Sequence, residues 1–370
     1  MGKIFADHVS TTPLDPRVFE AMRPYFTEIY GNPSSHVHEQ GVLASHGLDK
    51  AREQVAELVG ALPARVIFVS GATEANNLAL QGAGRPRILV SAIEHDSVRG
   101  VSSAAELVPV HRSGEVDLAA LERMLGADHR PALVSLMLAN NETGVVQPVA
   151  DAIEIARRYG ALVHCDAVQA LGRLPLNVTA LGADLVSLSA HKIGGPAGVG
   201  ALYVKDAVAL KPLLAGGGQE RGRRAGTENL PGIVGFAAAA EIAAVQQPAE
   251  AARLGALRDD LEARIRAARP DATMFGIESP RLANTSCVAL PGMASERQVI
   301  ALDLAGIAVS AGAACSSGKV RASAVLGAMG VPPALAASAI RVSLGWQSKA
   351  EDIDRFMAAW AGLLNPQLAA

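Results

Sequence analysis

The chain of 370 residues has little cysteine, little net charge and no long apolar run, and each shortage excludes a class of protein. Its three cysteines, Cys165, Cys287 and Cys315, make an odd set without a CxxC pair. That rules against a disulfide framework and against a cysteine-based zinc site. The close histidine pair His36 and His38 lacks cysteine or carboxylate partners at ligand spacing, so no metal is expected. A formal net charge of −3 offers no footprint for nucleic acid or an anionic membrane. The longest nearly apolar run, residues 232–245, is shorter than the roughly 18 residues of a membrane span and carries Glu241. The opening "MGKIFADHVSTTP" has no apolar signal core, which predicts a cytoplasmic location.

What is present is a hydrophobic half and a mean hydropathy of +0.24, enough for one large or two ordinary domains with real cores. From Arg65 onward, short apolar runs alternate with helix-like segments. "RVIFVSG", "RILVSAIEH", "PALVSLMLANNE", "ALVHCDAVQ" and "ADLVSLSAHK" read as strands. "ATEANNLALQG" and "VADAIEIARRYG" read as helices, the second closing on Gly160 as a C-cap glycine. Continuous apolar strands separated by helices predict an α/β fold with a mainly parallel sheet covered on both faces. Beyond about Glu250 the texture changes to an amphipathic helix and the strand-like runs "TSCVALPG", "GIAVSAG" and "AIRVSLG". These predict a smaller α/β domain. "QQPAEAA" at 246–252 is the boundary candidate, and the N-terminal segment is expected to fold back onto the second domain. The expected division is 16–250 for the large domain, with 1–15 and 251–370 forming the small one.

Open α/β sheets bind ligands outside the carboxyl ends of their strands. Here those ends carry Thr73 and Glu74, Glu94 and His95, Asn140 and Asn141, Asp166 and Gln169, then Ser189, His191 and Lys192. A fold alone does not demand polar groups at every strand end of one rim, whereas a single pocket does. "SGATEANN" puts Gly71, Ala72 and Thr73 at a strand-to-helix turn, where free N–H groups make an anion site; a plain N-cap accounts for the same threonine. Lys192 lies between an apolar strand and the glycine-rich "GGPAGVG". In water it is an ordinary loop lysine; in a partly dry pocket it is a nucleophilic amine. Asp166, at the end of "ALVHCD", needs a cationic or donor partner there. A pyridinium N–H would serve, and a lysine paired with such a carboxylate is the arrangement that binds pyridoxal phosphate. "GGPAGVG" is a poor dinucleotide fingerprint, since it contains Pro196 and leads into a strand.

In these motifs the chain resembles the cysteine desulfurases of the NifS/IscS type, class V aminotransferase-like enzymes of the fold-type I pyridoxal phosphate group. "GNPSSHVHEQG", "SGATEANN", "EHDSV", "NNETGVVQP", "HCDAVQ", "SAHKIGGPAGVGALYV", "GGGQERGRRAGTEN" and "SAGAACSSG" occur in the family's order over nearly the whole chain. The resemblance implies a seven-stranded large-domain sheet and a homodimer. It implies that Lys192 holds the cofactor covalently, Asp166 pairs with its ring nitrogen, and Gln169 bonds its phenolic oxygen. His95 would stack on the ring and move protons. Ala72, Thr73, Ser189 and His191 would hold the phosphate, joined by Thr227 from a second subunit. Asn141 would lie near the phenolic oxygen and the substrate, and Arg341 would clamp the substrate α-carboxylate. Cys315, in the small-residue run "SAGAACSSGKVRAS", would accept sulfur from L-cysteine as a persulfide, with L-alanine as the other product. A sulfur-acceptor protein such as an iron–sulfur scaffold would follow. Selenocysteine lyase and cysteine-sulfinate desulfinase are the alternative activities, and a non-catalytic scaffold is ranked below them. Departures from the family pattern are His8, Val9 and Ser10 after the early aspartate, Ala197 in place of a lysine, and "KVRAS" after the cysteine loop.

Overall fold

The computed structural model describes residues 2–312 and 323–363. After β1 (Ile4–Phe5) come β2 (Val66–Val69), β3 (Arg87–Ser91), β4 (Glu106–Val108), β5 (Ala132–Met137), β6 (Leu162–Asp166), β7 (Leu185–Ser189) and β8 (Gly200–Val204). Then follow β9 (Thr273–Met274), β10 (Thr285–Ala289), β11 (Ile307–Ala308), β12 (Ser310–Ala311) and β13 (Ala339–Ser343). Strands β2 to β8 form a seven-stranded sheet in the order β2-β8-β7-β6-β5-β3-β4. Pairs from β7 to β4 are parallel, while β8 is antiparallel to both β7 and β2. β2 therefore points the same way as β7, and the ends of β2, β3, β5, β6 and β7 meet on one rim.

Each strand's alternation splits the core into two layers. Phe68, Leu89, Val134, Val163 and Val186 pack against Val55 of the helix Glu39–Leu58, Ile153 of Val149–Arg158 and Phe236 of Leu230–Ala268. Ile67, Val90, Leu133, Leu185 and Leu202 pack on the other face against Leu78 and Ala79 of the helix Ala72–Gly82. The reversal at β8 follows from chain length: residues 190–199, turning through Ala190–Lys192, are too few for a crossover helix. Gly200 starts β8 where a side chain has no room. A Cβ there would sit 2.6 Å from Leu188 O and 2.9 Å from Gly71 Cα. Gly160 ends its helix as expected, at φ +64°, with Ala161 N–H donating to Ala156 O.

The second core joins Leu261, Ile265, Leu302, Ile340, Val342, Phe356 and Trp360 to Ile4 and Ala6 of the N-terminal segment. Its sheet is antiparallel, in the order β12-β13-β10-β9, and β1 pairs in parallel with β11. One expectation is corrected. "GIAVSAG" is not one strand: β11 pairs with β1 and β12 with β13, so the run breaks at Val309 between two sheets. The boundary candidate 246–252 lies within a continuous helix, since Leu230–Ala268 runs through it and through Pro248. That helix leaves the first core after Ala240 and enters the second at Leu254. By length and composition it is also apolar enough to cross a membrane, yet Ile233, Phe236, Ala237 and Ala240 are spent inside the large core.

Candidate active site

A cavity of about 460 Å³ opens at the rim. Ala72, Thr73, His95, Asn141, Asp166, Gln169, Ser189, His191 and Lys192 line it together with Ser10. The sheet register brings them there. Val69 and Ser189 both pair with Gly200, and Asp166 pairs with Met137 on one side and Ser187 on the other.

One end of the cavity is built for an anion. Gly71, at φ +154°, lets the chain turn from β2 into the helix Ala72–Gly82, and the first N–H closed within that helix is that of Ala75. The N–H groups of Ala72 and Thr73 thus belong to the open, positive helix end that lines the cavity. Ser189 Oγ is buried without a hydrogen-bond partner among the described residues. His191 is kept neutral by burial and by the Lys192 and Arg173 cations, which lower it to about 4. Its Nδ1 lies 3.1 Å from Thr11 Oγ1.

The centre is held by a polar chain. Asp166 Oδ1 accepts from Val168 N–H at 3.0 Å and Oδ2 from Asn76 Nδ2 at 2.9 Å. Asn76 donates also to Ser97 Oγ at 2.9 Å, and Ser97 Oγ lies 2.8 Å from His95 Nδ1. His95 Nδ1 accepts from Ser97 N–H, which places the proton of a singly protonated ring on Nε2. Glu94, fully buried beneath, accepts from Met137 N–H at 2.6 Å. Burial, and then the Asp166 charge, push its carboxyl well above the usual range. Glu94 therefore ties the segment after β3 to β5 from a site that favours its protonated form.

Lys192 is poised at the end of β7 by the N-terminal strap. Its Nζ donates to Val9 O at 2.7 Å and Ser10 O at 2.6 Å. Arg173 braces the strap, donating to His8 O, Lys192 O and Gln169 Oε1, while Gln169 Nε2 donates to Val9 O. With its guanidinium among neutral oxygens, Arg173 is lowered to about 10 by burial and by Arg341. The helix-end donors, the orphaned Ser189 hydroxyl, the buried Asp166 carboxylate and the lysine fit pyridoxal phosphate in charge and chemistry.

Other predicted residues stand apart. Arg341 is buried behind Ser10 and Asn141 and does not line the cavity. Thr227 lies in a neighbouring cleft with Glu220, Arg224 and Glu228. Cys315 lies outside the described residues. Of the other strand-end residues, Glu74 pairs with Arg224, and Asn140 accepts from Glu142 and Thr143 N–H groups to shape its own loop. Sequence reasoning missed Asn76, Ser97 and Arg173 as site residues. Asn76 had a signal: it is polar in a helix stripe that otherwise buries Ala75, Leu78 and Ala79.

Comparison with known proteins agrees with this geometry. The aminotransferase class-V family model matches residues 4–356. A cysteine desulfurase of Cereibacter sphaeroides is 45% identical over 96% of this chain and 94% of its own. A cysteine desulfurase IscS of Anaeromyxobacter dehalogenans is 43% identical over 95% of this chain and 90% of its own. The X-ray structure of a NifS-like protein from Rickettsia africae superposes with a TM-score of 0.91 at 34% identity, covering 98% of this chain and 99% of that one. With a pocket suited to pyridoxal phosphate at its expected rim and relatives matched almost end to end, the chain belongs to the class-V aminotransferase family, among the pyridoxal phosphate-dependent cysteine desulfurases of the NifS/IscS type.

Proposed function

We propose that the protein converts L-cysteine to L-alanine and passes the sulfur to Cys315 as a persulfide, for delivery to an acceptor protein in the cytoplasm. The observation that carries this reading is the convergence of Lys192, Asp166, His95 and the anion-binding helix end on one cavity. Bound pyridoxal phosphate supplies an electron sink next to the substrate α-carbon. Asp166, held by Asn76 and Val168 N–H, stabilises positive charge at the ring nitrogen. Ala72, Thr73, Ser189 and His191 hold the phosphate, with Thr227 reaching it from a second subunit. Gln169 bonds the phenolic oxygen, and Asn141 lies beside it and the substrate. Lys192 would anchor the cofactor and, with the substrate amine bound, would take and return protons. His95, with its Nε2 proton, serves as a second carrier. Arg341 supplies positive charge on the substrate's carboxylate side.

The sulfur step conserves electrons. The Cys315 thiolate attacks the substrate sulfur, an S–S bond forms, and the Cβ–S bond breaks with its electron pair left on carbon. One proton then converts that carbon to the methyl group of alanine. Cys315→Ser tests the step in the cofactor-loaded protein. The variant should retain L-cysteine binding, seen in the visible spectrum, while alanine release falls at least about 100-fold and no persulfide accumulates, because a serine oxygen is a poor sulfur acceptor. Near-normal L-cysteine turnover by Cys315→Ser would overturn the persulfide route. Faster turnover of L-selenocysteine or L-cysteine sulfinate than of L-cysteine by the unaltered protein would favour those activities instead.

A further inference from the structure

Asn76 is fully buried, and its amide nitrogen serves two groups of the site at once. Nδ2 donates to Asp166 Oδ2 and to Ser97 Oγ, both at 2.9 Å. A carboxylate offers acceptors only, so the amide must turn its nitrogen toward Asp166. That orientation leaves Asn76 Oδ1 buried without a partner among the described residues, which is unfavourable in itself. Packing does not ask for it, because the same helix stripe is otherwise filled by Ala75, Leu78 and Ala79. An amide kept in such a place is explained by what its two donors do.

The second donor reaches His95 through one hydroxyl. Ser97 N–H donates to His95 Nδ1 at 3.1 Å, so in a ring with one proton that nitrogen is the acceptor. Ser97 Oγ lies 2.8 Å from the same atom, and its O–H is then the donor there as well. Because Asn76 donates into that oxygen, the hydroxyl becomes a better donor through its own proton. The chain runs from Asn76 Nδ2–H through Ser97 Oγ–H to His95 Nδ1. It leaves Nε2 as the protonated atom of a ring that lines the cavity. We infer that Ser97 and Asn76 are positioning residues for proton transfer, fixing the His95 ring in its Nε2–H form while the same amide holds Asp166. This rests on the reading above, in which His95 moves protons, and adds what makes its Nε2 a donor.

Nitrogen-15 NMR of the cofactor-loaded protein with labelled histidine tests the assignment, at about pH 8, above the usual imidazole value of about 6.5. His95 is one of nine histidines, and its signals are those lost in His95→Gln. The unaltered protein and Ser97→Thr, which keeps the hydroxyl, should show His95 protonated at Nε2 alone. Ser97→Ala should move the Nδ1 signal toward that of a nitrogen with fewer donors, and Asn76→Ala should move it the same way. In turnover of L-cysteine, Ser97→Ala should lower kcat about fivefold, the worth of one hydrogen bond, with KM within about twofold. Ser97→Thr should restore the rate. A His95 ring protonated at Nδ1 in the unaltered protein overturns the inference, and so does a signal indifferent to Ser97→Ala. Loss of the cofactor from Ser97→Ala overturns it too, because it marks a structural role. A moved signal with unchanged turnover overturns the parent role of His95 and this inference together. Should Asn76→Ala fail to fold, the two Ser97 variants decide alone.

Discussion

His164 lies in the middle of β6, fully buried, with Ser135 Oγ 2.8 Å from Nδ1 and Ser187 Oγ 2.9 Å from Nε2. The two hydroxyls satisfy a neutral ring, and burial lowers the imidazole to about 4. In the unfolded chain it titrates near 6.5. Between those values the unfolded state binds the proton and the folded state does not, so stability falls as pH falls through that window. The ring should cost about 2 kcal/mol of stability between pH 7 and pH 5. Urea unfolding at the two values measures this, and His164→Gln should show a smaller loss over the same interval than the unaltered protein. An equal loss in both would show that other groups set the acid limit. His8, also lowered to about 4, contributes in the same direction. Glu94 acts oppositely: its raised folded value means that its contribution is lost as pH rises through that value. At this scale the charged and reactive members of the site were legible in sequence, because Lys192 and Asp166 stand at the ends of apolar strands. Their supports were not. Asn76 reaches Asp166 across 90 residues of chain, and no local pattern encodes that approach.

The helix Leu230–Ala268 links the two cores, and Pro248 sits on its exposed side. Proline removes one helical N–H and crowds the preceding turn. Because this ring is exposed, Pro248→Ala should stabilise the protein by about 1–3 kcal/mol, up to the full propensity difference. A shift of the thermal midpoint to higher temperature is the expected readout; a decrease would mean that the proline itself is needed to seat Leu254 and Leu261. A proline flanked by glutamines and alanines reads locally as a linker, and only the burial of both helix ends explains why the helix continues. The split of "GIAVSAG" has the same origin. Val309 separates two short runs whose partners, β1 and β13, come from opposite ends of the chain.

At the level of the whole molecule, Thr227 is exposed and lines a cleft separate from the cavity of its own chain. Its segment is held to the sheet by a buried pair. Arg52 donates to Glu220 at 2.7 and 2.8 Å, and Glu220 accepts also from Phe68 N–H. Under the proposed dimer, this anchor presents Thr227 to the neighbour's phosphate site. Sedimentation should therefore show a dimer. Thr227→Ala should weaken cofactor retention on dialysis by about tenfold, the loss of one charge-assisted hydrogen bond. A fully active monomer would contradict the arrangement.

The sequence by itself determined the alternation of apolar strands and helices, the chemical capability of the strand ends, and the ordered motifs that mark the family. Those features depend on neighbours in the chain, on periodicity, or on residue type. Only the tertiary structure decided that β8 runs backwards, that the N-terminal strap holds Lys192 through the carbonyls of Val9 and Ser10, and that Arg341 stands behind Ser10. Arg341 meets Ser10 and Asp7 across more than 330 positions. Such contacts are chosen by how two cores pack against each other, and the strength of a buried charge depends on that packing rather than on its place in the chain.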